Sequence, residues 1–395
     1  MPFDKRNVLS YLGTQFDAFD VRGLTEVDSL VLACVSYYQV PDEAAAARTH
    51  EGIALVDLYR ADWFDDLTCG LWDPDGLVRL LGAIVASPRF RPLRLCDYVS
   101  EMDSHREKQF SACTLRFPSG DAYVSFRGTD NTIVGWKEDF NMAFEAHVPS
   151  QARAVRYLES AVSLTAGRVF VGGHSKGGNL AVYATAMCDS ATHARIEAAF
   201  SHDGPGFTRE TLSSPSWKVS AGLIRKTVPT SSLVGMLFEQ QEEYVTVEST
   251  AVGVLQHDPF SWVVEGLGFL RKEGISGGAG FLDRGLNEWI ASMSREERES
   301  FVDTLFSVLY ASGEDTFASL HSNWRTAVPA MLAAASKLDE EERGHIARAV
   351  TLLGEALFPD VAPFGASDPN KVGRRQFRIG SASPSEQVDS PSEQA

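Results

Sequence analysis

An α/β fold, built on a mostly parallel sheet with helices on both faces, is what this sequence predicts. Two observations predict it. Strands alternate with amphipathic helices between residues 110 and 249, and "RVFVGG" is apolar on both sides, as a strand covered on both faces must be. A third observation sets the scale. At 395 residues, 44% hydrophobic and 10% aromatic, the chain can bury a full core and accommodates one large domain with an appendage.

Residues 1 to about 90 read as largely helical. "TEVDSLVLACVSYYQV" carries apolar residues at helical spacing from Val27, and "DGLVRLLGAIVAS" does the same from Leu77. "FSACTLRF" and "AYVSFRGT" alternate apolar and polar residues around the turn "PSGD" and predict a hairpin. "ARAVRYLESAVSLTA" is an amphipathic helix, followed by the strand "RVFVGG" and the helix "NLAVYATAMC". Three more strands follow: "IEAAFSHDG", "GLIRKTVP" and "EEYVTVES". These elements place a main domain over 1–265. From 266 to 362 the pattern is helical, an extension or cap, with capping-box pairs at Ser294 with Glu297 and Asp339 with Glu342. Residues 363–395 are rich in Pro, Ser, Gly and Gln and predict a disordered tail.

Charge and composition exclude several function classes. The formal charge is −17, from 53 acidic and 36 basic residues, with no basic run, so nucleic acid is not an expected partner. No signal-peptide core and no run of ~18 apolar residues is present, so neither export nor a membrane span is expected. The five cysteines (Cys34, Cys69, Cys96, Cys113 and Cys188) are odd in number, scattered and free of any CxxC pair. They suit reduced thiols in a cytoplasmic protein. No His/Asp/Cys cluster has ligand spacing, so no metal is expected, and no cofactor either. A homo-oligomer stays open.

The stretch "GRVFVGGHSKGGNLAVYATAMC", residues 167–188, carries the chemistry. Gly173-His174-Ser175-Lys176-Gly177 fits G-x-S-x-G, and the demanding part is its context of a strand before and a helix after. A serine on so sharp a turn needs small neighbours where strand and helix meet, which Gly173, Gly177 and Gly178 supply. The helix N-terminus then points backbone N–H groups at whatever negative charge develops there. Ser175 is the expected nucleophile; the alternative is a serine incidental to a Gly-rich turn.

With these residues in view, "VSFRGTDNTIVGWKEDF" and "VFVGGHSKGGNLAVYA" resemble the class 3, or fungal-type, lipases. The form G-H-S-K-G-G-N, with "HDGPGF", "PTSSLVGMLF" and "QHDPFSW", resembles a bacterial family of lipase-like α/β-hydrolases. That likeness covers most of residues 1–265. It implies an α/β-hydrolase fold and acyl-ester chemistry on a small-molecule or lipid ester, with the substrate unspecified.

The resemblance assigns the remaining parts residue by residue. The backbone N–H of Lys176 is one oxyanion donor. Thr129, at the end of "SFRGT", is the second, through its N–H and its hydroxyl; otherwise it is a turn residue. Arg127, Trp136 and Asp139 match the lipase pattern as packing and supporting groups. The base should follow nucleophile and acid in the chain. Of His193, His202, His257, His321 and His345, only His257 lies in a loop after the last expected strand, and it matches the family motif. The acid departs from the fungal pattern, because the matching position is Ser232. Asp203, one strand earlier in "SHDGPGF", is the candidate in its place, as in lipases of pancreatic type. Asp258 is expected to brace its local turn. If neither carboxylate serves, a Ser–His dyad with Ser232 or a backbone carbonyl at the imidazole is the remaining arrangement. The expected function is a serine esterase or lipase-like hydrolase. The alternatives are an acyltransferase using the same acyl-enzyme, or a binding protein on a hydrolase scaffold.

Overall fold

The computed structural model describes residues 6–275 and 292–346, apart from 143, 146, 239–242 and 341. The segment expected to be a disordered tail, 363–395, lies outside the described residues. Among those described, nine strands form one sheet in the order β1 (Ile53–Ala54), β2 (Arg94–Asp103), β3 (Lys108–Arg116), β4 (Ala122–Phe126), β5 (Val169–His174), β6 (Ile196–His202), β7 (Ile224–Pro229), β8 (Tyr244–Val247) and β11 (Arg271–Lys272). A short hairpin of β9 (Val264–Glu265) and β10 (Gly268–Phe269) lies between β8 and β11 in sequence.

Strands β4 to β8 are parallel to one another. The flanks are antiparallel: β1 to β4 on one side, β11 against β8 on the other. The mostly parallel expectation therefore describes the centre of a mixed sheet. The hairpin read around "PSGD" is β3–β4. The ten-residue strand β2 was not legible. A bulge between Cys96 and Val99, with Asp97 at φ 53°, breaks its alternation, and Ser100 and Glu101 dilute the apolar signal.

Period-two alternation delivers side chains to two cores. Tyr123 of β4 and Phe170 of β5 face a core built with helices α1 (Glu26–Val35) and α2 (Pro74–Ala86). Val124, Phe126, Val169 and Val171 face the other core, with helices α4 (Pro149–Leu164) and α5 (Lys176–Met187). Helix α3 (Ile133–Asn141) follows β4, and helices α6 (Arg295–Tyr310) and α7 (Trp324–Ala335) come later in the chain. Ile133 packs with Phe301, Val302 and Phe306 of α6. Both expected capping boxes, at Ser294 and Asp339, form.

Helix α1 is tied to the body by charge as well as by apolar packing. Asp28 and Arg89 are both fully buried; Arg89 Nε lies 2.9 Å from Asp28 Oδ1 and Nη2 2.5 Å from Oδ2. The other guanidinium hydrogens reach the carbonyls of Asp17, Arg22 and Gly23. A buried ion pair is tolerated when its remaining donors and acceptors are satisfied in this way.

Candidate active site

Ser175 stands between β5 and α5 with φ 60° and ψ −134°, a backbone conformation that costs an L-residue of order 1–3 kcal/mol. Its neighbours are glycines for a steric reason. A Cβ on Gly173 would sit 2.3 Å from the Gly177 carbonyl carbon, and one on Gly177 only 2.1 Å from the Phe126 oxygen. The elbow read from sequence is present. Gly128, on the loop after β4, lies directly against it, since a Cβ there would come within 3.1 Å of Ser175 Cβ.

His257 ends a 3-10 turn, Gly253–His257, and keeps its side chain 27% exposed. This turn does not follow the last strand, as the sequence reading had it. Strands β9 to β11 come after it, each two residues long and too short to register as a periodic pattern. The neighbouring Gln256 pins the turn, accepting from the Ser231 N–H at 2.7 Å and from the Thr230 hydroxyl at 3.1 Å. The Trp262 indole donates to the Gln256 carbonyl at 2.8 Å.

Asp203 directly follows β6, is fully buried, and has φ 53°. Its Oδ2 lies 2.7 Å from His257 Nδ1. The carboxylate accepts, so Nδ1 carries the hydrogen, and in the neutral ring Nε2 is the acceptor. The other oxygen, Oδ1, accepts from the Ser232 hydroxyl at 2.5 Å. Thus Ser232, at the position where the fungal pattern has its acid, stands behind the carboxylate that pairs with the histidine. Gly235 leaves room for this, because a Cβ there would lie 2.2 Å from Asp203 Oδ1. Asp258 accepts instead from the Phe260 N–H at 3.0 Å, bracing its own turn.

A second histidine supports the first. His174 Nε2 donates to the His257 carbonyl at 2.9 Å, and the Tyr37 hydroxyl meets its Nδ1 at 2.9 Å. The two imidazole rings lie 4.6 Å apart, centre to centre. Burial, and then the nearby His257, hold His174 well below the usual histidine pKa, so it stays neutral with its hydrogen on Nε2. His202, beside Asp203, is buried against the Ser29 hydroxyl.

Around Thr129 the structure corrects one expectation and refines another. The Thr129 hydroxyl donates to Asp139 Oδ2, which leaves the backbone N–H as the donor Thr129 has to offer. Asp139 is therefore a supporting group, whereas Trp136 is 42% exposed and not a buried packing residue. Arg127 is buried, with Nη2 3.3 Å from Asp130 Oδ2. The Lys176 side chain runs inward from the elbow, its Nζ 2.6 Å from Glu138 Oε2 and 3.5 Å from Asp139 Oδ1. The sequence reading assigned no part to it, nor to Tyr37, His174 or Gly235. For Lys176 a signal was available: a lysine opening an apolar helix demands a buried counter-charge, and "WKEDF" holds an adjacent acidic pair.

Among the described residues, no group of three or more His, Cys, Asp or Glu is placed to hold a metal ion. No helix there is long and apolar enough to cross a membrane. The cysteines are unpaired, and burial pushes the thiols of Cys34 and Cys113 upward.

Five parallel strands, a strained serine between β5 and α5, and a histidine–aspartate pair at the ends of later segments define a lipase-like α/β-hydrolase fold. The Mbeg1-like family profile matches residues 84–307, and the chain belongs to that family. Among solved structures the chain is similar to the Rhizomucor miehei lipase propeptide complex. Identity there is 18% and the TM-score 0.28, over 40% of this chain and 57% of that one, just over half its length. A fungal lipase–inhibitor complex is 16% identical with a TM-score of 0.37, over 56% and 77% of the two chains. Lip2 lipase from Yarrowia lipolytica is 12% identical with a TM-score of 0.35, over 61% and 88%. No curated protein matches the chain.

Proposed function

We propose that this protein is a serine hydrolase that cleaves carboxylic esters through an acyl-enzyme on Ser175. The observation that carries the reading is the 2.7 Å bond between His257 Nδ1 and Asp203 Oδ2, which leaves Nε2 as an acceptor in a residue whose carbonyl is held by His174, next to the half-buried Ser175 in the chain. In this reading His257 takes the Ser175 proton as the hydroxyl attacks the ester carbonyl, and Asp203 stabilises the imidazolium. The N–H groups of Lys176 and Thr129 receive the developing oxyanion. His257 then returns the proton to the leaving alcohol, and water, activated by the same imidazole, releases the acid. Helices α6 and α7 belong to an extension of this hydrolase body, which itself reaches past 265 to include β11.

An acyl transfer to an alcohol or amine uses the same intermediate, so products formed with and without added acceptor separate the two. The test of the enzyme reading is Ser175 itself. Wild-type protein is expected to react with a fluorophosphonate probe and to hydrolyse p-nitrophenyl acetate. Ser175→Ala does neither, with a loss of order 10⁴-fold or more in kcat. A folded Ser175→Ala protein that keeps most of the activity overturns the reading; a wild type inert to both reagents supports a binding protein.

A further inference from the structure

The proposed reaction uses the backbone of Lys176 and leaves its ammonium without a task. That side chain is 1% exposed. Its Nζ donates to the Gln109 carbonyl at 3.0 Å and to Glu138 Oε2 at 2.6 Å, with Asp139 Oδ1 at 3.5 Å. Glu138 is otherwise satisfied by the N–H groups of Gln109 and Ser150 and by the Ser150 hydroxyl. Asp139 spends its other oxygen on the Thr129 hydroxyl. One ion-pair contact, from the Lys176 ammonium to Asp139 Oδ1 at 3.5 Å, and one hydrogen bond, from the Thr129 hydroxyl to Asp139 Oδ2, thus link the helix start that presents the Lys176 N–H to the loop that presents the Thr129 N–H.

We propose that the Lys176 side chain is a positioning residue for the oxyanion site: its ammonium holds Asp139, Asp139 holds the Thr129 hydroxyl, and the two N–H donors are thereby kept at one separation. This rests on the ester-hydrolase reading above. An apolar residue at 176 would fill much of the same space but leave the buried Glu138 carboxylate, and the half-buried Asp139 beside it, without the Lys176 counter-charge. Burial already raises the Asp139 carboxyl, and Lys176 is the largest influence drawing it back down. Without the ammonium, Asp139 takes up a proton and can donate to Thr129 instead of accepting from it. That reverses the bond that fixes the loop. Preorganised donors act on the transition state and little on the bound ester, so the effect belongs to kcat.

Lys176→Met keeps the backbone N–H and the unbranched side chain as far as Cε, and removes the ammonium. It is expected to lower kcat roughly tenfold to 10²-fold, with KM within about threefold, and to weaken an arylboronic acid that forms a tetrahedral adduct on Ser175 by the same factor as kcat. Thr129→Val removes only the hydroxyl, and in that background Lys176→Met should cost less than about twofold more, because the relay is already cut. If Lys176→Met does not fold, the same cycle is run on Asp139→Asn, which keeps the shape of the link and removes the charge that the ammonium holds. A folded Lys176→Met at wild-type kcat, additive losses in the cycle, or Thr129→Val at wild-type kcat each overturn the proposal. A wild type that neither hydrolyses esters nor labels at Ser175 instead removes the reading on which it rests.

Discussion

Gly235→Ala is a small change with a calculable reach. The added Cβ would sit 2.2 Å from Asp203 Oδ1, 2.8 Å from Ser232 Oγ and 2.9 Å from Val228 Cγ1. A carbon–oxygen contact needs about 3.2 Å, so the carboxylate has to retreat by about 1 Å. The backbone at Gly235 suits alanine, so the collision falls on the side chains. Asp203 has little freedom to comply, because its N–H is held by the Thr227 carbonyl at 2.8 Å and its residue is fully buried. The retreat therefore lengthens or misaligns the 2.7 Å bond to His257. A misplacement of about 1 Å costs on the order of 10²-fold in rate, less than outright loss of the acid. Hydrolysis of p-nitrophenyl acetate by the purified variant reads kcat, with circular dichroism to verify folding. Fluorophosphonate labelling of Ser175 should slow by a similar factor. A folded Gly235→Ala enzyme within twofold of wild-type kcat refutes the placement of Asp203 behind His257.

Three further outcomes follow from the same geometry. Asp203→Asn should lower kcat by roughly 10⁴-fold, because the amide can hold His257 in the wrong tautomer, whereas Asp258→Asn costs little; the reverse pattern in kcat would exchange their roles. Ser232→Ala strips a buried carboxylate oxygen of its hydrogen bond, about 1–3 kcal/mol, and should lower kcat roughly tenfold to 10²-fold; an unchanged kcat removes the serine from the site. Burial raises the Asp139 carboxyl from 3.8 to about 6. A raised carboxyl adds stability below its unfolded value and loses it as pH rises through the folded one. Wild type should thus lose about 2 kcal/mol relative to Asp139→Asn between about pH 4 and 6; parallel melting curves across that range would contradict this.

What the sequence made legible follows a physical rule. The elbow could be read because glycines at 173 and 177 answer a collision with backbone, a need that the residue types alone announce. Asp203 could be proposed because a carboxylate ending β6 opens onto the same edge as one ending β7. Its brace could not, since a serine at 232 has the same appearance whether it donates to a carboxylate or to water. His174 is a similar case: its part depends on Tyr37, 137 residues earlier, and on a carbonyl 83 residues later. The antiparallel flanks escaped because β1 and β11 are two residues each and β2 is bulged, so neither length nor period announces them.

The dependence of the site on the first forty residues also bears on how this chain can be cut. The family profile begins at 84, which invites expression of residues 84–307 as a minimal unit. Such a fragment would lack Asp28, the carboxylate against the buried Arg89 guanidinium, and Tyr37, the hydroxyl on the buried His174 ring. It would also lose Ser29, which meets His202 beside the proposed acid. Each deletion leaves an interior polar group facing newly admitted solvent or nothing at all. The boundary of shared sequence and the boundary of what can fold are different lines here, and the second lies upstream of Asp28.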